Sequence, residues 1–467
     1  MQPTPPGIAR RLATLAVGVA LLWPGAAQAA EDVPGLVWGV PFAGMLLSVA
    51  LFPILAPRFW HRWMGLVAVL WSAALILPMA ALGTVAAAYH TAWEALLADY
   101  LPFVALLVAM YAVGGGVLLE GGPWGTPRGN TALMALATVL SGLVGPVPVS
   151  MVLIHPLLRA NAHRRHKVHL VVFFIVLVCN VGGVTTPLGN PPLYIGLLQG
   201  VPFLWPAAML WRVLLVLAVP LLAVFWWFDH RSALADPVPA MRRRLHMRGW
   251  ENIALLGLVV AVVLGQGAWQ PGPVSFLGAE IGRERLLGAL LFLAIAAVSA
   301  WRTPRAVRQA NMFAWGPMVE VAKLFAGIFV TITPALAMLH AGLDGPLGGV
   351  LRLATDAHGQ PWPVVYFWLS GILSAFLDNA PTYFLFFQMA GSDPAALTGA
   401  HAATLMAMSA GSVCFGALTY IGNAPNMMVR GVAAHRGVRM PGFFGYMLYA
   451  CALLLPGFAL LTLLFFL

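Results

Sequence analysis

The sequence has little charge and few cysteines for its length. Only 9% of its 467 residues are Asp, Glu, Lys or Arg, whereas 61% are hydrophobic. Soluble domains carry about 25% charged residues, so this composition excludes that class and indicates a polytopic membrane protein. The three cysteines, Cys179, Cys414 and Cys451, all lie in apolar segments. Neither a disulfide framework nor a cysteine metal cluster is therefore expected.

Acidic residues are scarcer than basic ones, 15 against 25, which gives a net charge of +10. A basic excess can mark nucleic-acid binding, but in so apolar a chain it is typical of cytoplasmic loops. We therefore expect the lipid bilayer as a partner, and no nucleic acid. The sequence also lacks the HExxH and GxSxG signatures and a paired catalytic Asp, so we expect neither an enzyme nor a cofactor.

Residues 1–30 have the composition of a bacterial secretory signal peptide. Arg10 and Arg11 precede the apolar run LATLAVGVALLWPG, and Ala27, Gln28, Ala29 and Ala30 supply an A-x-A cleavage site. The alternative is a retained first helix. With cleavage, the mature chain begins near Glu31, outside the bacterial inner membrane.

The remaining apolar runs predict an all-α fold of two inverted membrane repeats, at 31–228 and 251–467, joined by a cytoplasmic linker at 229–250. Each repeat contains a re-entrant helical hairpin and an unwound transmembrane helix. The predicted path places eighteen Lys and Arg residues inside and three outside, namely Arg283, Arg285 and Arg352. This bias follows the positive-inside rule and gives the two repeats opposite orientations.

Two motifs recur at one offset of 233 residues. LSGLVGPVPVS at 140–150 aligns with LSAFLDNAPTY at 373–383, and TTPLGNPP at 185–192 aligns with LTYIGNAP at 418–425. Two separate matches at the same offset indicate an internal duplication, which is typical of transporters with a central binding site.

The second of these motifs predicts a broken helix in each repeat. Gly and Pro unwind the helix, which frees carbonyls to hold a cation and half-helix N-termini to hold an anion, while Thr and Asn add neutral ligands. Simple kinks are the alternative. The candidate ion or substrate ligands of the two breaks are Asn180, Thr185, Thr186, Gly189, Asn190, Thr419, Gly422 and Asn423.

Asp378 stands in an apolar run at 369–387, where a carboxylate costs about 2.5 to 3.5 kcal/mol on insertion scales. Pro381 breaks the helix beside it. Asp378 is either a structural carboxylate paired with a buried cation or, as we favour, an ion or proton ligand together with Asn379 and Thr382. Transported Na⁺ would be held by Asp378, Asn379 and Asn423.

Glu320 and Lys323 are spaced three apart on one predicted helix face. They either neutralise each other or take part in coupling. Arg212 and His155 are weaker candidates, which we expect to reach the membrane surface or to pack rather than to bind a ligand.

Three stretches resemble the citrate transport family, whose members are often named sodium:proton antiporters. They are FLDNAPTYFLFF, NVGGVTTPLGNPPLYIGLLQGVPF and TYIGNAPNMMVRGVAAHRGVRMPGFFGYM. The family lies in the superfamily of NhaD-type antiporters, arsenite carriers and dicarboxylate carriers, and the resemblance covers essentially the whole mature chain. It implies two inverted repeats around a central site, usually in a homodimer. Relatives are expected to have Asp in place of Asn190 and a polar residue in place of Leu418.

Three hypotheses for function follow. The first is Na⁺/H⁺ antiport at Asp378, and the second is citrate or dicarboxylate uptake coupled to Na⁺ or H⁺. The first hairpin tip reads GPVPVS and lacks the Asn-Thr pair of the dicarboxylate carriers. That absence and the single carboxylate favour antiport. The third hypothesis, an intramembrane enzyme or a receptor, has no motif to support it.

Overall fold

The computed structural model describes residues 34–235, 243–276, 278–356 and 358–467. The predicted signal peptide at 1–30 lies outside these residues. Within them the chain is predominantly helical. The α-helices are Val40–Leu55, Pro57–Leu82, Val85–Glu94, Leu101–Gly114, Pro127–Val144, Pro146–Ala160, Val168–Leu177, Pro191–Leu198, Trp205–Ala235, Glu251–Ala268, Arg283–Arg302, Arg305–Ala310, Gly316–Thr331, Thr333–His340, Gly348–Leu353, Pro363–Phe376, Asn379–Met389, Pro394–Thr398, Ala402–Cys414, Ala424–His435 and Phe443–Leu461.

Nine helical stretches in the described part of the chain have the length and apolar composition needed to cross a membrane. They are Leu36–Leu55, Pro57–Leu82, Val85–Gly114, Val168–Thr185, Trp205–Ala235, Glu251–Ala268, Arg283–Arg302, Gly316–His340 and Phe443–Phe466. Helices dominate because backbone N–H and C=O groups in a hydrocarbon core must pair within the segment. The predicted all-α polytopic class is confirmed.

The region predicted as a linker contains regular structure. Helix Trp205–Ala235 continues past the apolar run that ends near 228, and strand Arg243–Arg248 pairs antiparallel with strand Leu118–Gly122. Met247 lies opposite Leu119, and His246 lies opposite Glu120. A second short pair joins strands Pro273–Phe276 and Ala279–Gly282.

The chain divides into two compact units. The first contains the described residues up to Tyr100 together with those of Val274–Ile281 and Glu320–Arg352. Its helices Val40–Leu55 and Pro57–Leu82 pack together, and the indole of Trp71 donates a 3.0 Å hydrogen bond to the Ser48 hydroxyl. Such a bond satisfies polar groups that lipid cannot.

The second unit contains Leu101–Pro273, Gly282–Val319 and Leu353–Leu467. All the duplicated motifs lie in it. Pro127–Val144 and Pro146–Ala160 form the first helix pair, and Pro363–Phe376 and Asn379–Met389 form the second. Residues 178–190 are the first break and residues 415–423 the second, because a 3₁₀ turn and extended backbone interrupt the helix in each.

Both breaks are packed inside the second unit. Every residue from Leu170 to Leu177, just before the first break, is buried. In the second break, Phe415 stacks on Phe458 with ring centroids 4.0 Å apart. The non-helical backbone is thus surrounded by protein, the condition under which a membrane chain tolerates it.

Candidate ion and substrate site

The tip of the first helix pair has no room for a ligand side chain. Gly145 joins the two helices with φ +88°, a conformation that favours glycine. A Cβ atom there would lie 2.8 Å from both the Leu188 carbonyl oxygen and the Met110 Cε atom. Pro146 then opens the next helix and supplies no amide donor. This tip is closed by backbone and apolar contacts.

The tip of the second helix pair carries Asp378 at the equivalent position. Asp378 caps the helix Asn379–Met389, and its Oδ1 accepts a 3.4 Å hydrogen bond from the Ala380 amide. The backbone amides of Asn379 and Ala424 also interact with the carboxylate, and Ala424 begins another helix. Two helix N-termini therefore face one carboxylate, and each favours negative charge.

No Lys, Arg or His of the described residues forms an ion pair with Asp378. The alternative of a structural carboxylate paired with a buried cation therefore finds no partner among these residues. The side chain is partly buried, and among the described residues its carboxylate contacts backbone amides. Thr382 does not reach the carboxylate, because its hydroxyl donates to the Asp378 carbonyl oxygen at 3.2 Å.

The two breaks have the same hydrogen-bond pattern at the 233-residue offset. Thr186 donates to the Gly142 carbonyl oxygen at 2.6 Å and accepts from the Gly189 amide at 3.1 Å. Thr419 donates to the Ala375 carbonyl oxygen and accepts from the Gly422 amide. Each threonine thus fastens its break to the helix pair of its own half, and its hydroxyl proton is already used there.

Both breaks end in an extended asparagine that precedes a new helix. Asn190 has φ −158° and ψ 144°, and Asn423 has φ −153° and ψ 135°. The Asn423 Nδ2 donates to the Cys179 carbonyl oxygen at 2.8 Å and to Asn180 Oδ1 at 3.1 Å. Asn180 and Asn423 therefore join the two breaks directly.

Asn379 and Asn190 meet across the two halves. The orientation of the Asn379 amide that satisfies its neighbours has the nitrogen donating to the Gly422 carbonyl oxygen at 2.8 Å and to Ser374 Oγ at 2.7 Å. Polar atoms of the two asparagine amides lie 3.2 Å apart. The other polar atom of the buried Asn190 amide has no hydrogen-bond partner in the described structure.

Thr185 lies beside Gly142 and is only partly buried. Gly189 and Gly422 allow close backbone approach, because a Cβ atom at Gly422 would lie 2.7 Å from the Gly416 carbonyl oxygen. The structure thus brings the predicted residues of the breaks and the second tip into one cluster within the second unit.

Glu320 and Lys323 belong to the first unit. The ion pair considered between them does not form, because the two side chains are not within 4.0 Å of each other. Glu320 instead lies 3.7 Å from Nδ1 of His61. The Lys323 side chain packs against Gly65 of the adjacent helix. Sequence spacing on one helix face did not decide the partner here.

The two weaker candidates make local contacts. Arg212 is exposed and places its guanidinium 5.4 Å from the Trp211 ring centroid. His155 is buried and its Nε2 lies 3.1 Å from the Asn311 carbonyl oxygen. Neither contacts the cluster of asparagines.

Sequence reasoning missed a buried charged cluster centred on Asp229, which it placed in the linker. Asp229 forms an ion pair with Arg164, lies 2.8 Å from His169 Nε2, and accepts from Asn130 Nδ2 at 3.0 Å. Asn130 also exchanges hydrogen bonds with Asn161, so the cluster closes the base of the first helix pair. The only sequence signal was an acidic residue directly after an apolar run.

Asn426 was also missed. It is fully buried and hydrogen-bonded to Asn180 and to two carbonyl oxygens of the second break. The sequence indicated its role only weakly, by one further asparagine three residues after Asn423.

The apolar helices and the polar breaks enclosed among them indicate a multi-pass membrane protein. The family comparison agrees, because the model of the family described as "Putative citrate transport" matches residues 30–466. The chain belongs to this family and is a membrane transport protein. No curated protein matches it.

Proposed function

We propose that the protein is a secondary active transporter of the bacterial inner membrane that exchanges Na⁺ for H⁺ at Asp378. The observation that carries this proposal is a carboxylate with no ion-pair partner among the described residues, held at the N-termini of two helices in an apolar chain. Intramembrane carboxylates of this kind mark ion and proton pathways.

The proposed architecture is two inverted repeats at 31–228 and 251–467, each with a re-entrant hairpin, in a homodimer. The equivalent hydrogen bonds of Thr186 and Thr419 at one offset support a duplicated unit. The linker at 229–250 would lie on the cytoplasmic side. Inverted repeats place a shared site near the bilayer midplane, where alternate opening exposes it to either side.

The proposed ion ligands are Asp378, Asn379 and Asn423, with the break carbonyls and Asn190 completing the shell. A carboxylate oxygen that holds a proton is a poor ligand for Na⁺, because the proton removes the charge that attracts the cation. The two ions would therefore compete for Asp378. Competition at a single carboxylate produces exchange without a second acid.

Citrate or dicarboxylate transport is the second candidate, and the family description favours it. The helix N-termini that could bind a substrate carboxylate face Asp378 instead. A citrate anion would therefore need a bound cation or proton at Asp378 before it could approach. This candidate keeps the same residue but makes the ion a co-substrate.

Proteoliposomes containing the purified protein separate the two candidates. Antiport predicts that external Na⁺ or Li⁺ dissipates an imposed pH gradient without citrate, whereas the second candidate predicts labelled citrate uptake that requires Na⁺ or H⁺. Asp378→Asn should leave a folded, membrane-inserted protein and abolish ion-coupled exchange, because the amide cannot titrate.

Asp393 offers a matched control for this variant. It also caps a helix, accepting from the Ala395 amide at 2.9 Å, but lies on an exposed segment. Asp393→Asn should exchange ions at the wild-type rate. Wild-type exchange and an unchanged pH profile in Asp378→Asn would contradict the antiport mechanism and direct attention to Glu320 and Lys323.

A further inference from the structure

Both N–H groups of the Asn426 side-chain amide donate hydrogen bonds. Its Nδ2 donates to the Gly416 carbonyl oxygen at 2.8 Å and to the Thr419 carbonyl oxygen at 2.9 Å. Its Oδ1 accepts from Asn180 Nδ2 at 2.9 Å. The side chain is fully buried, and its two carbonyl partners both lie in the second break. One amide therefore links the non-helical backbone of the second break to a side chain of the first.

Carbonyl oxygens freed by an unwound helix need a donor or a cation when no water is present. In the second break Asn426 supplies that donor. At the equivalent position of the first break, 233 residues earlier, stands Leu193, which has no polar atom to offer. The amide therefore occurs only in the half that also carries Asp378.

Asn426 is connected to Asp378 through the start of one helix. It is the third residue of helix Ala424–His435, and the amide of Ala424 faces the Asp378 carboxylate. The carbonyls that Asn426 holds, at Gly416 and Thr419, belong to the segment leading into this helix. The position of the Ala424 amide thus depends on the Asn426 hydrogen bonds.

We propose that Asn426 is a positioning residue for the ion site, which substitutes for a cation at the second-break carbonyls and ties that break to Asn180 of the first. The role rests on the proposed function at Asp378. Asn426 maintains the backbone conformation of the second break when the site holds no metal ion. The proton-bound and the cation-bound protein then have the same backbone geometry at this break.

Asn252 is a matched control for a purely structural amide. It is buried, its Nδ2 donates to the Gly116 carbonyl oxygen at 3.1 Å and to Thr303 Oγ1 at 2.9 Å, and its Oδ1 accepts from Ser299 at 2.6 Å. Asn252 lies in neither break. Asn426→Leu and Asn252→Leu therefore each remove the hydrogen bonds to three buried partners, at different places.

The test is substrate-dependent transport in proteoliposomes, with thermal unfolding measured in parallel. Asn426→Leu should raise the KM for Na⁺ about tenfold with the maximal rate within about twofold, since buried carbonyls lose their donors. Asn252→Leu should lower the unfolding temperature and leave KM unchanged. Asn426→Thr keeps one hydrogen-bond donor in a smaller side chain and should give an intermediate KM. This variant also tests the proposal if Asn426→Leu does not fold.

An unchanged KM in Asn426→Thr or Asn426→Leu, with a lower unfolding temperature as in Asn252→Leu, would overturn the positioning role. The antiport proposal is tested independently, by Asp378→Asn. If the wild-type protein carries labelled citrate instead of exchanging Na⁺ for H⁺, the same KM comparison is made with citrate, and the expected difference between Asn426 and Asn252 remains.

Discussion

At the scale of single residues, the energetics of Asp378 explain why a bound ion is expected there. Each helix N-terminus stabilises a nearby negative charge by about 0.3 to 1 kcal/mol. The insertion cost of a carboxylate at membrane depth is about 2.5 to 3.5 kcal/mol. Two helix ends offset only part of that cost. A proton or a cation would supply the remainder, and this is the physical basis for placing exchange at this residue.

Gly145 provides a prediction at the same scale. Gly145→Ala adds a Cβ atom next to the Leu188 carbonyl oxygen and Met110 in a left-handed conformation, so stability should fall by about 1 to 3 kcal/mol. Gly391 has φ +105° but open space where a Cβ atom would lie, so Gly391→Ala isolates the backbone strain. Thermal unfolding in detergent should show the larger loss at Gly145. Equal losses would mean that the tip is not tightly packed.

At the scale of elements, the breaks are held by side chains rather than by helical hydrogen bonds. In each break one threonine bridges the break to its helix pair. The asparagines then join the two breaks to each other. The hydroxyls of Thr186 and Thr419 thus hold the unwound segments against the helix pairs.

The contacts of Thr186 and Thr419 lead to related predictions. Thr186→Val and Thr419→Val each leave a buried carbonyl without its donor, which costs about 1 to 3 kcal/mol. Thr419→Val also leaves the Gly422 amide without its partner, whereas the Gly189 amide keeps a 2.9 Å hydrogen bond to the Thr186 carbonyl oxygen. Both variants should lower the unfolding temperature, Thr419→Val by more. Thr138→Val is the control, because that hydroxyl only donates to a carbonyl of its own helix. A loss at either position no larger than that of Thr138→Val would contradict these roles.

At the scale of the whole molecule, the distribution of Lys and Arg predicts the orientation of the chain. A reporter fused after Arg248 should be cytoplasmic, and one fused near Gly359 should be periplasmic. Activity of a periplasmic phosphatase and fluorescence of a cytoplasmic protein at each fusion point provide the measurement. Location of both fusions on the same side would exclude the inverted repeats.

The sequence alone determined the membrane class, because 61% hydrophobic residues with 9% charge cannot form a soluble surface. It also located the breaks and Asp378, since Gly and Pro act on the local backbone and a charge in an apolar run is visible without coordinates. The observed helices end near these residues.

Only the tertiary structure decided the partners of the polar side chains. Asn180 and Asn426 are 246 residues apart, and Asn130 and Asp229 are 99 apart. Local periodicity carries no information about such pairs, because the partner depends on how distant helices pack. For the same reason Glu320 lies near His61 rather than pairing with Lys323. A membrane interior without water makes each of these polar contacts necessary, but the fold selects which residue provides it.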